Sequence, residues 1–400
     1  MHPYFAKHSL RDKLIAKDPD PNCFMSIVIP VFREEQLLQT IESIHNCDSP
    51  NESFELILLF NSAESDTESR EYNQRSKIEV EEWIKQNSPA FPIHMVEENH
   101  LDDKLAGVGL ARKIGMGEAA RRLLSIGKEE AVILCLDADC TIDNNYLQAV
   151  EAHFQNPKSK AAASLYFEHP LEGDDYSNEI YEAILYYELH LRYYKHAMTY
   201  CGLPFDRYTV GSSMAVRVQA YLSEGGMNKR KAGEDFYFLQ KYLIKGELDE
   251  INTTTVYPSP RKSDRVPFGT GRAVQDHLEE RKDLQLSYSP KSFKLIAEFI
   301  GSIKRDFPRR PQIAEEIKGF FKADEWEVEW KKLIEQSRDL ESFEKRFYQW
   351  FTPFKLLKLL HYLRDEYYPN ISIEEAVSEL LEVSGDVGDQ LEELRRRDQF

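Results

Sequence analysis

Apolar residues in the first half of the chain fall into short dense runs separated by longer stretches with helical spacing. Met25-Ser26-Ile27-Val28-Ile29-Pro30-Val31 is a β-branched run that reads as a strand, and Leu37, Leu38, Ile41 and Ile44 behind it recur as one face of a helix. Residues 54–60 make a second apolar run that breaks at Asn61-Ser62-Ala63-Glu64-Ser65-Asp66, a polar turn suited to a helix N-cap. A third strand is expected over 91–96, after a helix around Val80 and Ile84. Glycine-punctuated residues 102–113 then enter a helix through Ala119, Ala120, Leu123 and Leu124. Next comes Ala131-Val132-Ile133-Leu134-Cys135-Leu136-Asp137-Ala138-Asp139, too short an apolar run for a core helix and closed by two carboxylates. Strand and helix alternate, so the pattern predicts an α/β protein with a doubly wound, mostly parallel sheet flanked by helices.

The middle of the chain changes character. A strand over 161–167 gives way to a long helical pattern rich in tyrosine, including Tyr176, Tyr181, Tyr186, Tyr187, Tyr193 and Tyr194. Such a stripe reads as core or interface before it reads as a sugar platform. Another strand is expected over 210–216, and Gly225-Gly226 and Gly233-Glu234-Asp235 then open a helix. Residues 257–272 form a long non-helical segment carrying Arg261, Lys262, Arg265 and Arg272, which suits a loop that closes over phosphates. Beyond about Leu286 the periodicity is helical throughout. The organisation expected is a polar lead over 1–22, a catalytic α/β domain over 23–280 and an all-helical C-terminal domain over 281–400.

The chemistry concentrates at Asp137 and Asp139. Residues i and i+2 of a strand share a face, and the C-terminal ends of strands in an open parallel sheet are where ligands bind. Two hard oxygen ligands suit Mg²⁺ or Mn²⁺ held together with substrate phosphates. The plain alternatives are carboxylates closing a turn at 137–139 and capping a helix at 234–235.

Composition narrows the partners. With 400 residues, 42% of them apolar, the chain can bury a large core. A formal charge of −18 argues against nucleic acid, so any anionic ligand must meet a local basic exception. The five cysteines are scattered with no metal-ligand spacing, which favours free thiols in a reducing cytosol. No stretch reads as a signal peptide or a membrane span; a cytoplasmic protein is expected, with peripheral membrane contact left open and the oligomeric state unspecified.

The order of these features resembles the family 2 glycosyltransferases of the GT-A fold. The resemblance is carried by residues 27–32 with Glu34, by Gly109-Leu110-Ala111-Arg112-Lys113-Ile114-Gly115, by Leu136-Asp137-Ala138-Asp139, by Gly211-Ser212-Ser213-Met214-Ala215 with Arg217, and by Gly225-Gly226-Met227 and Gly233-Glu234-Asp235. It spans roughly residues 23–280 and leaves the C-terminal region uncovered. It implies inverting, metal-dependent transfer of a sugar from a nucleotide-diphosphate donor to an acceptor hydroxyl on a saccharide or small molecule. By position, Asp139 would be the main Mn²⁺ or Mg²⁺ ligand with Asp137 beside it, and His277 would be the nearest histidine to complete the shell. Asp235, next to Glu234, would be the general base. Pro30, Asn61, Asp103, Arg112, Asp137, Arg261 and Arg265 would contact the donor. Relatives often carry an acidic turn after the second strand where this chain has Asn61-Ser62-Ala63, so a UDP-sugar is favoured and a GDP-sugar is also admitted.

Two other classes compete. Leu136-Asp137-Ala138-Asp139-Cys140-Thr141 also fits the nucleophile motif of haloacid-dehalogenase-like phosphatases, with Asp137 phosphorylated, although that motif normally sits on the first strand of its domain. A non-catalytic sugar- or nucleotide-binding protein would need both the 137/139 pair and Glu234-Asp235 to be incidental.

Overall fold

A computed structural model describes residues 2–8, 11–265, 269–322 and 324–399. Among the described residues eight strands form one sheet: β1 (Cys23–Val31), β2 (Ser53–Ala63), β3 (Ile93–Leu101), β4 (Val132–Cys135), β5 (Cys140–Ile142), β6 (Ala162–Phe167), β7 (Met214–Arg217) and β8 (Leu248–Pro258). Their order is β3-β2-β1-β4-β7-β6-β8-β5. The first four strands in that order are parallel, β7 runs antiparallel to both neighbours, and β5 is antiparallel to β8. The expected α/β architecture with a mostly parallel, helix-flanked sheet is the one observed.

Strands β1, β2, β4 and β6 are buried on both faces, which is why they read as near-continuous apolar runs. Met25, Ile27 and Ile29 of β1 join a core with Leu56, Leu58, Val132 and Leu134, whereas Val28 joins Ile57, Leu59, Ile133 and Cys135 on the other face. Helices Leu37–His45, Thr67–Asn87 and Tyr146–Gln155 cover the first face. Helices Val108–Ser125, Asn178–Tyr200 and Glu234–Lys245 cover the second. A Cβ at Gly115 would stand 2.5 Å from Val28 Cγ1, so helix Val108–Ser125 lies on the sheet at a distance only glycine allows. Its far end is fixed by Arg122, which donates to buried Glu55 of β2 at 2.9 and 2.6 Å.

Pro30 is tolerated within β1 for a local reason. Val28 accepts a bond from Leu136 N at 3.2 Å, so the alternate residue Pro30 turns its missing N–H to the same side, past the last β1–β4 rung at Val28–Cys135.

Two expectations change here. β4 stops at Cys135, and Asp137-Ala138-Asp139 form a turn in which Cys140 N donates to Asp137 O at 3.2 Å. The strand argument for a shared face therefore does not apply to the two aspartates. Among the described residues the C-terminal region is helical apart from one two-rung antiparallel ladder, β9 (Leu286–Ser287) with β10 (Ile371–Ser372), elements too short to leave a period-two pattern. Its apolar residues, among them Phe293, Phe299, Phe347, Leu360 and Leu391, share one core with helix Val108–Ser125 and the second face of the sheet. The last helix, Val387–Gln399, is bolted to helix Asn178–Tyr200. Asp398 accepts from Tyr208 Oη and Lys195 Nζ, both at 2.7 Å, and pairs with Arg192, while Arg395 donates to Glu188 at 2.7 and 2.9 Å. No helix among the described residues is long and apolar enough to cross a membrane.

Candidate functional site

Beyond the C-terminal ends of β1 and β4, five carboxylates meet three arginines. Arg112, on helix Val108–Ser125, is buried and bridges Asp137 to Glu234. Two glycines let it do so. A Cβ on Gly109 would fall 2.1 Å from Arg230 O and 2.9 Å from Glu234 Cβ, and one on Gly211 would fall 2.3 Å from an Arg112 guanidinium nitrogen. Arg112 Nε is buried and has no hydrogen-bond partner among the described residues.

Glu234 and Asp235 open helix Glu234–Lys245, whose N-cap, Gly233, has φ +68°, a left-handed conformation that favours glycine. Glu234 turns inward to Arg112, while Asp235 Oδ1 accepts from Phe236 N at 2.7 Å. Burial, reinforced by Glu234 against the opposing Arg112, pushes the Asp235 carboxyl up to about 6.

The second half of the cluster is assembled by the β5–β8 ladder. Cys140 pairs with Pro258, so the residue before Cys140 and the segment after Pro258 emerge side by side. Arg261 consequently donates to Asp139 Oδ2 at 2.8 Å and to Glu34 Oε2 at 2.8 Å, and Arg265 reaches Glu34 Oε2 at 2.8 Å and Arg33 O at 2.6 Å. Thr40 Oγ1 holds the turn itself by donating to Ala138 O at 2.9 Å. Burial, opposed by Arg261 and supported by Glu34 and Asp137, raises the Asp139 carboxyl to about 6. Arg261 and Arg265 thus lie on carboxylates rather than standing open; Val266, Pro267 and Phe268 of the same segment lie outside the described residues.

The structure gathers Arg112, Asp137, Asp139, Glu234, Asp235, Arg261 and Arg265, and adds Glu34. Glu34 follows the end of β1 as Asp137 follows β4, so the rule that directs attention to strand ends would have found it. Tyr176 is also engaged: its hydroxyl accepts from Gln36 Nε2 at 2.6 Å and contacts Ser259 Oγ at 2.8 Å, tying the 259–261 segment to the end of β1.

Other expected residues sit differently. Asn61 is buried and its amide donates to Val31 O at 2.9 Å, joining the ends of β1 and β2. Asp103 is exposed and accepts from Ser65 N at 3.2 Å and Ser65 Oγ at 2.7 Å, closing the loop before helix Val108–Ser125 against the turn after β2. His277 does not complete a metal shell with Asp137 and Asp139: among the described residues no group of three or more His, Cys, Asp or Glu is placed to hold an ion. Its Nδ1 instead lies 3.3 Å from both Lys282 O and Leu284 N, where the chain folds back after helix Thr270–Leu278.

Glu34, Asp137, Asp139, Glu234 and Asp235 against Arg112, Arg261 and Arg265 leave a formal excess of two negative charges in a half-buried space. Asp137, with its side chain 38% exposed, is the most open of the ion-paired carboxylates. The five cysteines are free thiols, as expected.

No protein-family model matches the chain, and no curated protein matches it. Solved structures to which it is similar include S. aureus TarS 1–349 in complex with UDP-GlcNAc, at 14% identity and TM-score 0.40 over 94% of this chain and 92% of that one. TarS 1–349 in complex with UDP gives 12% and 0.38 over the same shares. S. aureus TarS gives 14% and 0.37 over 86% of this chain and 53% of that one. At this level the likeness is one of loose architecture, and the residues of the site carry the functional reading.

Proposed function

We propose that the protein is a glycosyltransferase that moves a sugar from a nucleotide-diphosphate donor, a UDP-sugar in first place, to an acceptor hydroxyl by a single inverting displacement. The observation that carries this reading is the bridge from Arg112 to Asp137 and Glu234, beside an Asp139 held by Arg261. It supports the reading because carboxylates that could hold a metal, guanidinium groups that could bind phosphate, and Asp235 as a candidate base lie together at the C-terminal edge of one sheet.

In this reading Asp139, with Asp137, holds Mn²⁺ or Mg²⁺. The cation supplies charge neutralisation for the leaving diphosphate. Arg261 and Arg265 move from Asp139 and Glu34 to phosphate oxygens, a bidentate exchange that arginine geometry favours. Arg112, fixed between Glu234 and Asp137, sets a positive charge beside the donor, and Glu234 serves to position it. Asp235 takes the proton from the acceptor hydroxyl as that oxygen bonds to the anomeric carbon. The bond to the diphosphate oxygen breaks at the same time and its electron pair leaves with the nucleotide. A base raised to about 6 is ionised at neutral pH yet basic enough to accept that proton in the transition state. Asn61 and Asp103 contribute by shaping the β1–β2 edge on which the base would rest.

A thermal-shift panel of nucleotides and nucleotide sugars, with and without Mn²⁺, tests the reading, because a ligand that binds the folded state alone raises apparent stability. A UDP-sugar or GDP-sugar should raise the melting temperature when Mn²⁺ is present and much less without it. No shift with any nucleotide diphosphate would contradict it.

A further inference from the structure

A second charged site lies on the other side of helix Val108–Ser125. Helix Pro3–His8, helix Val108–Ser125, residues 225–229 and helix Glu234–Lys245 enclose a half-open cleft of about 310 Å³ whose walls carry Lys7, His8, Lys113, Lys229 and Lys241. Lys113 follows Arg112 directly, but its ammonium points away from the acidic cluster and donates to Met227 O at 2.8 Å and Gly225 O at 3.4 Å. Lys241 Nζ donates to Glu224 O at 2.9 Å and Gly226 O at 3.1 Å. The turn that offers these carbonyls is built for it. Gly225 and Gly226 have φ of +74° and +71°, and a Cβ on Gly226 would stand 2.5 Å from Tyr4 Oη. His8 closes the rim against Gly225.

Neutral carbonyls orient these ammonium groups without cancelling their charge. Among the described residues Lys7, Lys113, Lys229 and Lys241 form no ion pair with a carboxylate, and Glu224, which acts on Lys241, is itself paired with Lys245. Burial, with repulsion from Lys229 and Lys241, brings the Lys113 ammonium down to about 8. Burial likewise lowers His8, which also feels Lys113, Lys7 and Lys241. In a chain of net charge −18, gathering uncompensated cations in one concave site costs free energy that a bound anion would offset. The volume lies at the small end of ligand pockets, which matches a phosphate group with a short organic body.

We propose that this cleft binds a small phosphate-bearing anion, a phosphate monoester or inorganic phosphate, with Lys113 and Lys241 as the seated donors and the exposed Lys7 and Lys229 drawing the ligand in.

Calorimetric titration of the full chain with inorganic phosphate and with glucose 6-phosphate tests this, at constant ionic strength and without divalent metal. Saturable one-site binding is expected. It should weaken by about tenfold in Lys7→Ala/Lys229→Ala, whose side chains have no carboxylate partner to lose, and further in Lys241→Met. Arg261→Met, in the acidic cluster, should leave it unchanged. The proposal is overturned if neither phosphate saturates the wild type, if the lysine variants bind as tightly as the wild type, or if Arg261→Met abolishes binding. It is also overturned if phosphatidylglycerol-containing vesicles bind while both soluble phosphates do not.

Discussion

Arg261 Nε donates to Asp139 Oδ2 at 2.8 Å, so a guanidinium group occupies the carboxylate to which the proposed function assigns a metal ion. The two cations compete for one oxygen, and the same arginine is needed afterwards on the diphosphate. Arg261→Met is therefore predicted to act in opposite directions. Mn²⁺ alone should bind more tightly, by about 1 kcal/mol or roughly fivefold, the scale of a partly exposed ion pair. A nucleotide diphosphate in the presence of Mn²⁺ should bind less tightly. Separate titrations of the variant with metal and with metal plus nucleotide check both signs.

The acidic cluster also predicts a pH dependence. Burial raises Asp139 and Asp235 to about 6, above the unfolded aspartate value of about 3.9. Between those values the folded state holds more protons than the unfolded state, so the stability of the metal-free protein should fall as pH rises from about 4 to about 6. Metal binding needs the ionised carboxylates and should strengthen over the same interval. Melting temperature and Mn²⁺ affinity measured at pH 5 and pH 7 should thus move in opposite senses; parallel movement would show that the two aspartates are not raised.

Asp235→Asn separates the functional classes. As the general base it removes a proton only during transfer, so its amide should leave donor and metal binding nearly intact while kcat falls by a factor on the order of 10² to 10⁴. If Asp235 serves only as a first-turn carboxylate of the helix that Gly233 caps, Asp235→Asn should lower stability by about 0.3–1 kcal/mol with turnover almost unchanged. The phosphatase reading predicts instead a phosphoryl group trappable on Asp137 from a phosphomonoester, which mass spectrometry of the acid-quenched protein would detect.

Asp398 is predicted to hold the last helix in place. Its carboxyl is kept well below the usual aspartate range: burial works against ionisation, but His196, Lys195 and Arg192 outweigh it. Asp398→Ala would leave Arg192 buried without that partner, a loss of about 3–5 kcal/mol in urea unfolding. Because the carboxyl is depressed in the folded state, the wild-type advantage should be present above about pH 4 and shrink as pH falls further. A change below about 1 kcal/mol at neutral pH would contradict the assignment.

Much of the sheet was legible, because β1, β2, β4 and β6 are buried on both faces and their apolar runs have no amphipathic competitor. β8 was missed although Ile251-Asn252-Thr253-Thr254-Thr255-Val256-Tyr257 carries an ordinary β-branched signal. Strand order was not legible: the antiparallel insertion of β7 between β4 and β6 follows from tertiary pairing that no local pattern encodes. At the cluster, the sequence singled out most of the residues that the structure brings together, and their partners were not readable. Asp137 and Asp139, expected on one strand face, turn to Arg112 and Arg261 because β4 ends two residues early and the β5–β8 ladder delivers Arg261. Glu34 went unassigned because its role depends on arginines 227 and 231 residues away in sequence.

The most direct measurement is a calorimetric titration of wild-type protein and Asp139→Ala with UDP in the presence of Mn²⁺, each repeated with EDTA. Saturable binding to the wild type that needs Mn²⁺, and its loss in an Asp139→Ala protein of unchanged circular dichroism, is the predicted result. Binding of UDP to Asp139→Ala with undiminished metal dependence, or no binding of UDP or GDP to the wild type under any condition, would contradict the account.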